Sequence, residues 1–239
     1  MPIAVIGGTG DEGFGLALRL ARAGQSVIIG SRSEERGQAS AQKATELLGS
    51  QAKGTVDGTA NDQAAAACDL VFVTVPYAGQ ADIYRSIAPS LRAGAIVCDT
   101  TTPLATAVGG RPWQVVTPWA GSAAEQAKAL LPTGTRMVSG FHTIGAEPLQ
   151  DLDHDLDGDV MLCGTDHEAK AVIGALVEKI PNLRWVDVGP LNMARIIERL
   201  TAVMVQVNRT YGLHGAGIAV TGRDAWGRPP DKPKKAPEA

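Results

Sequence analysis

IAVIGGTGDEGFG, residues 3–15, is the stretch on which the fold turns. Four apolar residues, Ile3 to Ile6, run straight into glycine. A short continuous apolar run of this kind predicts a strand covered on both faces. The glycines at 8, 10 and 13 have the spacing G-x-G-x-x-G. An apolar helical stripe then begins, with Leu16, Ala17, Leu20 and Ala21 on one face, and Gly24 ends it. Strand, glycine turn and helix together are the context that makes the spacing informative. The glycines allow a tight turn, and the helix N-terminus presents N–H groups to an anion such as a pyrophosphate. Gly8, Gly10 and Gly13 are therefore candidate cofactor-binding residues.

Working outward, the same alternation recurs. Strands are predicted at 26–30, 54–58, 69–75 and 95–99, and helices from Gly13 to Ala23, from Ser33, over Asn61–Ala67 and over Tyr84–Leu91. A less regular segment follows at 101–121. Beyond it come a helix near 122–131, a strand near 136–139, a loop around FHTIGA (141–146), strands at 160–164 and 184–189, and helices at 166–179 and 191–212. Strands alternating with helices belong to the α/β class. The expected architecture is a Rossmann-type doubly wound parallel sheet with a smaller C-terminal α/β extension. The domain reading is 1–140 for the dinucleotide-binding Rossmann-type part, 141–222 for the C-terminal α/β part that completes a cleft, and 223–239 for a tail rich in proline and charge.

The second strand carries the next signal. It ends in VIIGSRSEER, 27–36. In NAD-binding folds this strand usually ends in an acidic residue that accepts from the ribose hydroxyls. Here Ser31 and Arg32 occupy that end, and Arg36 follows four residues later. A hydroxyl and two guanidinium groups suit a 2′-phosphate and would leave a bare ribose without its acceptor. Thr9, in the glycine loop, is placed to reach the phosphate end as well. The residues prefer NADP(H) to NAD(H).

Composition narrows the class. The formal net charge is −3, which argues against a nucleic-acid binder, and aromatic residues at 4% leave few stacking platforms. No stretch has the length of a membrane span, and the apolar run at 3–6 is too short for a signal h-region. Cys68, Cys98 and Cys163 are widely spaced, with no metal or CxxC pattern. Cys68 and Cys163, in apolar segments, read as buried structural thiols, and the pattern fits a reducing compartment, the cytoplasm. The acidic run DLDHDLDGD matches the first half of a calcium loop at Asp153, Asp155, Asp157 and Gly158, but the twelfth position is Gly164 instead of Glu. It reads as a solvated turn, and no metal site is expected.

With these residues in view, the chain resembles the NADPH-dependent coenzyme F420 reductases. The resemblance is carried by IGGTGDEGFGLALRLARAGQSVIIGSRSEER, ACDLVFVTVPY (67–77), SGFHTIGAEPLQDLD (139–153), VMLCGTD (160–166), VDVGPLNMARIIERLT (186–201) and GLHGAGIAV (212–220), and it fails only in the tail. It implies hydride transfer between NADP(H) and the 5-deazaflavin ring of coenzyme F420. It places NADP contacts at Thr9, Gly10, Asp11 and Glu12, and the 2′-phosphate site at Ser31, Arg32 and Arg36. Val75, Ala146 and Ala216 match positions lining the cleft between nicotinamide and deazaflavin. The chain departs from its archaeal relatives at PYAGQA, where they carry a larger Trp and a His, and along CDTTTPLATAVGGRPWQ. The cleft wall near Gly79 and Thr102 is therefore this chain's own.

Hydride transfer between two cofactors asks little of side chains, since the cofactors supply the reacting atoms and the protein holds them together. No catalytic acid or base is assigned. His142 has two readings: a donor to the deazaflavin carbonyl system, or a histidine that holds its own loop. Other acceptors (a flavin, a ferric chelate, a small carbonyl compound) and a non-enzymatic NADP(H)-sensing role are the alternatives. The expected partners are small-molecule cofactor substrates, with no nucleic acid and no membrane. The apolar face of the helix at 191–212 is wide enough for a homodimer contact.

Overall fold

The computed structural model describes residues 1–221; the predicted charged tail, 223–239, lies outside them. The described chain is built around one eight-stranded sheet. Its strands are β1 (Ile3–Ile6), β2 (Val27–Ser31), β3 (Val56–Ala60), β4 (Leu70–Val73), β5 (Ile96–Asp99), β6 (Arg136–Ser139), β7 (Gly158–Gly164) and β8 (Leu183–Pro190). They lie in the order 3-2-1-4-5-6-7-8. β1 to β6 are mutually parallel, which is the doubly wound order. β7 runs antiparallel to β6, and β8 runs parallel to β7. The C-terminal extension thus continues the first sheet.

The sheet is covered on both faces by α1 (Asp11–Arg22), α2 (Glu34–Leu48), α3 (Asn61–Ala67), α4 (Tyr77–Ile87), α5 (Ala123–Leu130), α6 (Ala146–Gln150), α7 (His167–Val177) and α8 (Ala194–Tyr211). Alternate side chains of β1 feed two cores. Ile3 and Val5 pack with Phe14, Leu16 and Leu20 of α1 and with Leu149 and Ile173. Ala4 and Ile6 pack with Ala64, Tyr84, Ala124 and Ile197. All four β1 residues are buried, so the apolar run at 3–6 follows from being covered twice.

Three elements differ from the sequence reading. β3 runs 56–60 where 54–58 was predicted, because Gly54 packs directly on the Gln25 backbone and its N–H is spent on the Ala21 carbonyl. α4 begins at Tyr77, well before the predicted Tyr84. Its first turn is Tyr-Ala-Gly-Gln, which carries no apolar stripe, and Gln80 is a fully buried polar residue. α6, which starts at the last residue of the loop predicted at 141–146, has no counterpart in the sequence reading; five residues are too few to show a period.

The reversed direction of β7 has a topological result. Its amino end, Gly158, lies at the pole where β1 to β6 have their carboxyl ends. α8 then returns to that pole, and the glycine-rich run 212–220 folds back along the start of β7. Asp159 N donates to Ile218 O at 2.8 Å, Val220 N donates to Asp159 Oδ2 at 2.6 Å, and Ala216 N donates to Asn208 Oδ1 at 2.9 Å. Arg19 of α1, only 2% exposed, fastens the same pole from below. Its guanidinium donates to the carbonyls of Pro148, Leu149, Asp151 and His154. The acidic run read as a turn is therefore held by its backbone. The three cysteines are buried free thiols. Among the described residues, no helix is long and apolar enough to cross a membrane.

Candidate functional site

The glycine loop sits at the carboxyl end of β1. Gly7 takes the positive φ of the turn (+73°), and a Cβ there would meet Val75 Cγ1. Gly8 has no room for a side chain, since a Cβ would lie 2.7 Å from the Val5 carbonyl. Gly13 lies against Thr74 Oγ1 and the Gly8 Cα, so α1 and the end of β4 approach without a side chain between them. Gly10 is the N-cap of α1, and the first helical bond runs from Phe14 N to Gly10 O at 2.8 Å. The N–H groups of Asp11, Glu12 and Gly13 precede it and have no intrahelical acceptor. Unspent donors at a helix N-terminus, framed by glycines, fit the pyrophosphate of a dinucleotide.

Ser31 ends β2, is almost fully buried, and no protein hydrogen bond engages its hydroxyl. Arg32 and Arg36 are exposed and make no ion pair within the described chain. Arg36 lines a hollow of about 320 Å³ with Thr9, Asp11, Phe14, Ser40, Lys43 and Gln150. The structure thus brings Arg36 and Thr9 to one hollow, with Ser31 and Arg32 at the adjoining end of β2. Their donor chemistry fits a phosphate on the ribose.

β1 and β4 flank the point where the strand order reverses, the crevice in which doubly wound folds bind ligands. Val75 packs on Gly7 there, and its carbonyl accepts from Thr101 Oγ1 at 3.3 Å. Thr102 Oγ1 lies 2.8 Å from Thr201 Oγ1 of α8 and 3.4 Å from His142 Nδ1. His142 Nε2 lies 2.9 Å from Ser139 Oγ, and Thr201 Oγ1 donates to the His142 carbonyl at 2.6 Å. Burial pushes His142 down to about 4, so the ring is neutral at neutral pH. With both ring nitrogens engaged, His142 is placed to hold its loop. The residue before it, Phe141, has φ +69° and packs edge-on against Phe72 at 5.7 Å. A left-handed phenylalanine beside a ligand crevice is strain that the surrounding packing sustains.

Ala146 opens α6, and Ala216 lies in the returning run. Pro148 brings their neighbours together, because Gly145 and Gly215 both pack on it. Gly79 stands apart in the first turn of α4, where a Cβ would meet nothing within 4 Å. Its small size is not demanded by protein packing.

Three acids lie beneath the crevice, Asp99 and Glu198 buried and Glu12 half-buried. Glu12 sits beside the Thr100 hydroxyl and is pushed up to about 7 by burial, with Asp99 adding to the shift. Asp99, at the end of β5, is fully buried and is also pushed up to about 7 by burial. Glu198 of α8 accepts from Ala123 N and Ala124 N at 2.9 and 3.0 Å, and burial pushes it up to about 8.

Comparison with known proteins agrees with this geometry. Residues 2–103 match the family model described as NADP oxidoreductase, coenzyme F420-dependent. The chain is 39% identical to the F420-dependent NADP reductase of Methanocaldococcus jannaschii, over 92% of this chain and 98% of the relative. It is also 39% identical to the enzyme of that name from Methanothermobacter thermautotrophicus, over 92% of this chain and 95% of the relative. The chain belongs to the F420-dependent NADP reductase family. A crystal structure of a candidate F420-dependent NADP-reductase from Arthrobacter sp. FB24 superposes with a TM-score of 0.75 at 26% identity, covering 91% of this chain and 98% of that one.

In this member of the reductase family, three contributors to the site have no signal in the sequence. Asn61 Oδ1 accepts from Gly7 N at 3.2 Å, so α3 steadies the glycine loop from beside β2. Lys43 shares the hollow with Arg36, and its Nζ lies 4.9 Å above the Phe14 ring. Thr201 reaches the crevice from α8, 99 positions after Thr102. The seven-residue step from Arg36 to Lys43, two turns of one helix face, is the one trace that sequence inspection offers.

Proposed function

We propose that the protein transfers a hydride between NADP(H) and the deazaflavin ring of coenzyme F420. The observation that carries this reading is the carboxyl end of β2. A free buried hydroxyl and two unpaired guanidinium groups lie beside the open helix N-terminus in a chain that aligns with reductases of this activity along nearly its whole length.

Bound NADP(H) and coenzyme F420 supply the reacting carbons; the protein contributes position and exclusion of water. Ser31, Arg32 and Arg36 hold the 2′-phosphate, with Thr9 at its edge. The N–H groups after Gly10 hold the pyrophosphate, with Asp11 and Glu12 in the first turn of α1. Val75, Ala146 and Ala216 line the ring cleft, and Gly79 and Thr102 form its remaining wall. His142 fixes the loop that carries Ala146. Residues 1–140 serve as the NADP part, and 141–222 complete the cleft. The outer face of α8, with Ile196 57% and Val203 50% exposed, supports a homodimer, and the buried thiols support a cytoplasmic setting.

An anaerobic absorbance assay with NADPH and oxidised coenzyme F420, run beside NADH and FMN, tests the reading. Loss of the deazaflavin band with NADPH, and little change with NADH or FMN, is the expected result. Binding of NADPH without loss of that band would overturn the deazaflavin assignment.

A further inference from the structure

Asp99, fully buried at the end of β5, shares one hydroxyl with the Val75 carbonyl. Its Oδ2 accepts from Gln80 Nε2 at 2.9 Å. Its Oδ1 lies 2.7 Å from Thr101 Oγ1 and 3.4 Å from Thr101 N. The same Thr101 hydroxyl lies 3.3 Å from the Val75 carbonyl. A hydroxyl carries one proton and cannot donate to both acceptors. If Asp99 is ionised, the Thr101 hydroxyl proton goes to Oδ1, which the Thr101 N–H also faces, and the carbonyl of half-buried Val75 loses this donor. If Asp99 is a neutral acid, Oδ1–H donates to Thr101 Oγ1, the Thr101 proton passes to the Val75 carbonyl, and Gln80 still donates to Oδ2. Every bond is then satisfied.

The surroundings agree. The polar groups facing the Asp99 carboxyl are the Gln80 amide, the Thr101 and Tyr84 hydroxyls and the Thr101 backbone N–H, with no cation among them. The titratable groups facing it are Glu12 from α1, Tyr84 from α4, Cys98 of its own strand and Glu198 from α8. All of these are acids. The fully buried Tyr84 hydroxyl faces the Asp99 carboxyl. His142, across Ser139 on the neighbouring strand, is neutral. An ionised carboxylate here would be a buried charge without a counter-ion.

We propose that Asp99 is a positioning residue that works as a neutral carboxylic acid: through the Thr101 hydroxyl it clamps the Val75 carbonyl and so fixes the wall on which the nicotinamide ring rests. The placement of the ring on Val75 rests on the function proposed above; the protonation of Asp99 does not. Asp99→Asn keeps a neutral donor toward the Thr101 hydroxyl and a carbonyl toward Gln80, and gives up only the long contact with Thr101 N.

The test combines infrared spectroscopy with kinetics. With ¹³C-labelled aspartate, the wild-type minus Asp99→Asn difference spectrum shows a protonated-carboxyl band at about pH 6 that fades toward about pH 9. Thr101→Val and Asp99→Ala lower kcat about tenfold or more while KM for NADPH moves less than about threefold, and Asp99→Asn restores kcat to within about threefold. The fall of kcat on the alkaline side in the wild type is absent in Asp99→Asn. Only carboxylate bands at about pH 6, an Asp99→Asn protein as slow as Asp99→Ala with unchanged melting temperature, or a Thr101→Val protein at full rate would each overturn the proposal. If the wild type leaves the deazaflavin band intact, the proposed function falls, and the infrared band alone decides the state of Asp99.

Discussion

Arg19 Nε donates to the Leu149 carbonyl at 3.0 Å across 130 positions of chain. The same guanidinium serves the carbonyls of Pro148, Asp151 and His154. One buried side chain of α1 thus ends the backbone of α6 and the turn after it. Arg19→Met keeps much of the packing but strands these carbonyls. It is expected to destabilise the protein by about 3–5 kcal/mol, read from urea unfolding, and a loss below about 1 kcal/mol would show that water replaces the guanidinium.

On the proposed function, cofactor choice is set at the end of β2. Arg32→Ala should raise KM for NADPH by about 10- to 100-fold, the worth of a charge-assisted contact, and change KM for NADH less than about twofold. Equal losses with both nucleotides would remove Arg32 from the 2′-phosphate site.

The glycine at 13 is required by contact. A Cβ there would overlap Thr74 Oγ1 and come within 2.8 Å of the Gly8 Cα. Gly13→Ala should weaken NADPH binding about tenfold or more and cost about 1–3 kcal/mol of stability. Adding Thr74→Ala should recover part of both losses, because it removes the side chain met first and leaves the Gly8 contact. Nucleotide fluorescence titration and thermal melts of the pair check this.

His142 gives a signed pH dependence. Burial holds its folded-state value near 4 against an ordinary value of 6.5. The unfolded chain therefore binds this proton more readily, and the stability that the neutral ring contributes is complete above about pH 6.5 and is lost as the pH falls toward about 4. The loss amounts to as much as about 3 kcal/mol. His142→Gln should be less stable than wild type at neutral pH and lose less on acidification. Parallel slopes from denaturant midpoints would contradict the assignment.

Much of the fold is legible because local signals and tertiary demand coincide. The strand–glycine–helix pattern at 3–24 names the first unit, and the apolar runs at 69–75 and 95–99 are strands because both faces are covered. The proposed 2′-phosphate site is readable at all because Ser31, Arg32 and Arg36 are close in sequence. Legibility fails where polar residues do structural work inside the protein. The start of α4 is hidden because Gln80 turns inward to Asp99 and to the Ala123 carbonyl. Glu198 looks like one more charge on a long helix, yet it caps α5 from 75 positions away. The support of the glycine loop by Asn61 is of the same kind, with 54 positions between donor and acceptor.

The reversal at β7 also decides where the molecule can be handled. Met1 enters β1 at the pole opposite the crevice, beside Gly94, Arg136 and Leu176. The chain reaches Val220 at the crevice pole, tied to Asp159. A tether, dye or fused reporter attached ahead of Met1 leaves the ring cleft open to incoming coenzyme, whereas one attached just after Thr221 begins at its rim. For surface immobilisation or electrode coupling, the amino end is the side to anchor.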